Sequence, residues 1–176
     1  MSAVEALPVR FGRCGGPIDA DDRALVQAWI DALGLSGASI RCVAGWREAA
    51  TWLRERRFVE GFWASEERLR LELRDEAALR LGEAELLERL TQATGPIIDA
   101  LREAAVAAAA REGVPDEGLI RAAAGAAALA EHQRALAQLA GAPAAHPFFC
   151  KHRLFARGRW PLGLFDDAGR AIAAIL

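Results

Sequence analysis

The residues best equipped for chemistry lie together near the C-terminal end, between His146 and Trp160. This stretch holds two of the three histidines, one of the three cysteines (Cys150) and the chain's single lysine, Lys151. From residue 146 onward five basic side chains (Lys151, Arg153, Arg157, Arg159, Arg170) face two acidic ones (Asp166, Asp167), while the rest of the chain is net acidic. Guanidinium groups grip carboxylate or phosphate with two parallel hydrogen bonds, and an ammonium adds a compact point charge. The ligand-binding candidates are therefore His146, Lys151, His152, Arg153, Arg157, Arg159 and Trp160, and the matching ligand is an anionic small molecule. One of the two histidines would supply acid–base chemistry. A competing reading has the bases pairing with the acidic helices while Phe148, Phe149, Phe155 and Trp160 pin the segment to the body.

The same residues also suggest two sharper chemistries. His146, Cys150 and His152 form a His-x3-Cys-x-His spacing, with His132 or Asp166 as further ligands. No paired Cys-x2-Cys motif accompanies them, so neither a metal nor any other cofactor is expected. Cys150 beside His132 or His146 would be a nucleophile pair if the thiol were ionised. Its apolar, aromatic surroundings favour a buried, unreactive thiol instead. Catalytic residues stay unassigned and the expectation leans away from an enzyme. His132 shares a helix side with Ala128 and Leu136 and is read as a packing residue. Gly12, Gly15 and Gly16 do not have the spacing of a phosphate-binding loop.

The elements that must hold this stretch are mostly helical. Asp19 is a plausible N-cap, with Asp21 and Asp22 in the first turn of a helix whose apolar face carries Leu25, Trp29 and Leu33. Ser39 to Ala44 reads as a short strand and 46–56 as a second helix. Phe58, Phe62 and Trp63 are expected in a loop, with Ser65 capping a helix to Leu81. Further helices are expected over 83–93, 97–111 and 117–140, the last carrying an alanine- and glycine-rich run, Ala122 to Ala130, suited to the middle of a bundle or a subunit contact. Residues 1–17 look extended, with Val9, Arg10 and Phe11 in strand-like alternation. Residues 160–165 and 170–176 flank Asp-Asp-Ala-Gly and predict a hairpin.

The expected class is α+β, predominantly helical: a bundle of about five to six helices with a small antiparallel β element, the C-terminal hairpin plus one N-terminal strand from 39–44 or 8–12. One domain over 1–176 is expected, with a helical body at about 18–141 and the aromatic, basic segment and hairpin at 146–176.

Bulk composition narrows the function classes. The 176 residues are 53% hydrophobic and 26% charged, which suits a packed core and excludes a disordered chain. A net charge of −2 argues against nucleic acid as partner and against an anionic membrane surface. Cys14, Cys42 and Cys150 are too few and too scattered for a disulfide scaffold, and no leader or membrane span is recognisable, so the cytoplasm is the expected location. Arginine outnumbers lysine 21 to 1 among the 22 basic residues, a bias that points to a GC-rich, bacterial source. The expected function is a non-enzymatic interaction or regulatory protein, self-associating through its helices as a homo-oligomer or binding another protein. The alternative is a binder or enzyme for an anionic small molecule at 146–160.

Overall fold

The computed structural model describes Leu7, Pro8, Arg10, Phe11 and residues 15–176. From residue 15 on, the element order is α1 (Ala20–Ala32), β1 (Ser39–Cys42), α2 (Trp46–Glu55), α3 (Phe62–Leu81), α4 (Glu83–Thr94), a 3-10 turn (Gly95–Ile97), α5 (Ile98–Arg111), α6 (Glu117–Ala140), α7 (Pro147–Ala156), β2 (Pro161–Asp167) and β3 (Arg170–Ile175). The fold is predominantly helical α+β, as the periodicity predicts. Among the described residues no helix is long and apolar enough to cross a membrane.

Local chemistry explains where the helices begin. At α1 the Asp19 carboxylate accepts the Asp22 N–H at 2.8 Å, and the Asp22 carboxylate accepts the Asp19 N–H at 3.3 Å, a reciprocal cap. Asp116 caps α6 by accepting the Leu119 N–H at 3.0 Å. Helix α3 starts earlier than Ser65. Gly61 adopts φ 79° and its carbonyl accepts the Ser65 N–H, so Phe62 and Trp63 belong to the first helical turn instead of a loop. The glycine permits this left-handed entry, which residue pattern alone did not reveal.

The expected N-terminal lead-in also differs. Leu7, Pro8, Arg10 and Phe11 are helical, not extended, and Leu7 and Phe11 are fully buried. Three alternating residues are too few to separate a strand period from a helical one. The Phe11 ring lies 5.8 Å from that of Phe155. Val9 and Cys14 lie outside the described residues.

The sheet has the order β1-β3-β2. Strands β2 and β3 form the expected antiparallel hairpin, closed by Ala168 and Gly169 at positive φ with the Asp166 side chain accepting the Gly169 N–H at 2.9 Å. Strand β1 adds to β3 in parallel, Ser39 opposite Ile172 through Cys42 opposite Ile175, so the sheet is mixed and not purely antiparallel. The crossover between β1 and β3 spans most of the chain, which is why direction was not legible locally.

The hairpin carries an irregularity between Pro161 and Gly163. Gly163 has φ 136°, and a Cβ there would sit 2.7 Å from the Phe58 ring. Phe58 in turn stacks on Phe165 with ring centroids 4.7 Å apart. Gly163→Ala is therefore expected to destabilise by about 2 kcal/mol, read as a lowered urea midpoint at unchanged slope.

Small residues set the packing of the helical body. Ala123, Ala127 and Ala130 of α6 and Ala105, Ala108 and Ala109 of α5 are buried in one cluster with Trp46, Trp160 and Phe155. Gly125, in the same run, points the other way and is exposed, with open space where a Cβ would be. Gly125→Ala is expected to stabilise by about 1 kcal/mol, because it removes backbone entropy from the unfolded chain without a clash. Thermal unfolding of the variant checks this.

Candidate functional site

Helix α7 carries the segment singled out above, and its surroundings determine what the bases do. Pro147 occupies the first turn, where its missing N–H costs nothing. The His146 Nδ1 accepts the Phe148 N–H at 3.2 Å, so this histidine caps the helix. Burial holds its pKa below the ordinary value, against an opposing pull from Glu76 and Glu72. Phe148 and Phe155 are fully buried, and Cys150 and Leu154 pack into the cluster built on Trp29, Ile30 and Phe62. The buried thiol of Cys150 has its pKa raised by desolvation, with Arg153 opposing.

Lys151 is buried. Its Nζ lies 2.8 Å from both carboxylate oxygens of Glu66 on α3, and Glu66 is equally buried. The Trp29 indole N–H donates to Glu66 Oε1 at 3.3 Å, and the ammonium lies 6.0 Å from the Trp29 ring centroid. A compact ammonium fills this slot, which gives a physical reason for the chain's one lysine.

His152 turns toward α6. Its Nε2 lies 2.9 Å from Glu131 Oε2, but its N–H direction does not meet the oxygen, so the contact is one of proximity and no aligned hydrogen bond forms. Glu131 has no exposed surface. Desolvation opposes its ionisation, but the two hydrogen bonds from Arg134 and the close approach of His152 outweigh it and hold the pKa below the usual range. His132, on the same helix, is half-buried, and desolvation with the charge of Arg70 lowers its pKa.

Arg157 and Arg159 reach the start of α1. Arg157 Nε donates to Asp22 Oδ1 at 2.5 Å and its Nη2 to Asp19 Oδ2 at 2.8 Å. Arg159 Nε donates to Asp22 Oδ2 at 2.8 Å, and its remaining nitrogens donate to the carbonyls of Gly15, Gly16 and Pro17. Asp22 is 1% exposed. Burial works against its charge, and the bonds from Arg157, the Asp19 backbone and Arg159 overcome this, lowering its pKa. Trp160 is core: its ring packs 5.6 Å from that of Trp46, and its backbone N–H donates to Leu176. Of the three arginines among the seven candidates, Arg153 is the one that stays exposed without a carboxylate, donating to the Ala144 carbonyl at 3.3 Å.

The seven candidate residues thus radiate from α7 in several directions. Lys151 meets α1 and α3, His152 meets α6, Arg157 and Arg159 meet α1, and His146 stays at the helix start. His146, Cys150 and His152 do not converge, and among the described residues no group of three His, Cys, Asp or Glu side chains is placed to hold a metal ion. The residues that sequence reasoning missed are the acceptors Asp22, Glu66 and Glu131. Asp22 was visible as a first-turn acid, but nothing local marked it as a partner for arginines 135 and 137 residues away.

Comparison with protein-family models, with curated proteins and with solved structures yields no match to this chain.

Proposed function

We propose that this chain is a non-enzymatic interaction protein that self-associates through its helices. The observation that carries the reading is a set of large apolar side chains left in solvent on the helical body. Leu79 on α3 is 88% exposed, Leu87 on α4 68%, and Ile98 and Val106 on α5 51% and 45%. Single exposed apolar residues are ordinary, but Leu79 and Leu87 flank one tight turn at Gly82 and are nearly bare. Burying both in an interface would remove a sizeable apolar area from water.

The alternative, an anionic small molecule held by His146, Lys151, His152, Arg153, Arg157, Arg159 and Trp160, has weaker support. Its ligand would have to compete with carboxylates already bound to Lys151, Arg157 and Arg159.

Sedimentation velocity over a concentration series tests the proposal. A reversible dimer or higher species is expected, with Leu79→Glu plus Leu87→Glu returning it to monomer. A strict monomer up to about 0.1 mM, where an association worth about 5.5 kcal/mol would register, would overturn it.

A further inference from the structure

Two lightly engaged arginines, Arg47 and Arg54, lie away from α7, on α2. Two hollows meet between α2 and the loop entering α6. One, of about 420 Å³, is bounded by Arg47, Arg54 and residues 113–116. The other, of about 260 Å³, continues over Leu53, Leu119 and Ala122. They share Ala50, Arg54 and Asp116, so they form one open groove with a cationic end and an apolar end.

Arg47 and Arg54 are two helical turns apart and therefore on one face of α2. Arg47 is exposed, and its guanidinium has no partner among the described residues. Arg54 has one ionic contact, to Asp116 Oδ2 at 3.8 Å, longer than the 2.7–2.9 Å of a charge-assisted hydrogen bond. Asp116 spends its other oxygen on the Leu119 N–H. This differs from Arg157 and Arg159, whose donors are engaged by acceptors of the fold itself.

We propose that this groove binds a small monocarboxylate with an apolar body. The carboxylate bridges Arg47 and Arg54, and the body lies over Ala50, Leu53, Leu119 and Ala122. The Asp116 carboxylate at the groove's middle disfavours a ligand with a second negative charge. The inference stands apart from self-association, since none of the exposed leucines on α3 and α4 lines the groove.

Titration of the full chain with sodium octanoate, followed through the backbone amides of Gly113 and Gly118 by two-dimensional NMR, tests it. Saturating shifts with Kd on the order of 1 mM or tighter are expected. Arg47→Gln with Arg54→Gln should weaken binding at least about tenfold, while Arg170→Gln, an exposed arginine on β3, should leave it unchanged. Inorganic phosphate should bind far more weakly than octanoate. Linear, non-saturating shifts, equal binding by the double variant, or equal binding of phosphate and octanoate would each overturn the proposal.

Discussion

Lys151→Ala is expected to lower unfolding stability by about 3–5 kcal/mol, because it strands the Glu66 carboxylate in an apolar cluster without its counter-charge. Glu66 is 3% exposed and Lys151 5%, so water cannot rescue either group. The remaining Trp29 N–H offers one long hydrogen bond, too little to solvate an anion. Removing both charges together is a different experiment. Glu66→Leu with Lys151→Met should recover most of the loss, since a buried pair contributes little net stability over a well-packed apolar pair. Urea unfolding of wild type, both single variants and the double variant closes a thermodynamic cycle. A Lys151→Ala loss below about 1 kcal/mol would show that the pair is solvated in solution. Lys151→Arg is expected to cost about 1–3 kcal/mol, because the planar guanidinium is bulkier than the ammonium it replaces in a closed slot.

Asp22→Ala should be nearly as damaging, at about 3 kcal/mol. Three losses combine. The reciprocal cap of α1 loses one of its two bonds, worth about 1 kcal/mol. Arg157 and Arg159 lose the buried oxygens that orient them, and Arg159 then holds the carbonyls of Gly15, Gly16 and Pro17 with a side chain that nothing else fixes. Asp22→Asn, which keeps size and one acceptor oxygen, should lose less than alanine does. If both substitutions are neutral, the cluster is a surface ion pair in practice and its burial has no energetic consequence.

The same carboxylate gives a pH dependence with a definite sign. The Asp22 pKa is lower folded than unfolded, so the unfolded chain binds more protons in that range. Its stabilising contribution is complete above the unfolded value near 4 and disappears as pH falls through the lower folded value. Glu131 behaves in the same way. His132 and His146 are also lowered, by burial first, so each favours folding fully only above its unfolded value of about 6.5. Stability should therefore decline in two stages on acidification, a shallow one below about pH 6.5 and a steeper one below about pH 4. Asp22→Asn should flatten the second stage and leave the first intact. Urea midpoints measured across pH settle the matter, and stability rising on acidification between pH 6.5 and 4 would contradict it.

What the amino-acid sequence determined by itself is the helical framework. Leu25, Trp29 and Leu33, or Leu69, Leu73 and Ala77, recur at the period of a helix, and Asp19, Gly82, Asp116 and Gly141 mark its ends by local hydrogen bonding or backbone freedom. The hairpin was legible for the same reason, since its turn lies within a few residues of its strands. Only the tertiary structure decided the direction of β1, the helical state of Leu7, Pro8, Arg10 and Phe11, and above all the fate of the α7 charges. Lys151 finds Glu66 across 85 residues of chain, and Arg157 finds Asp22 across 135. A residue's type states that it must be paired when buried, but which partner it meets depends on how distant helices pack, and that information is not local.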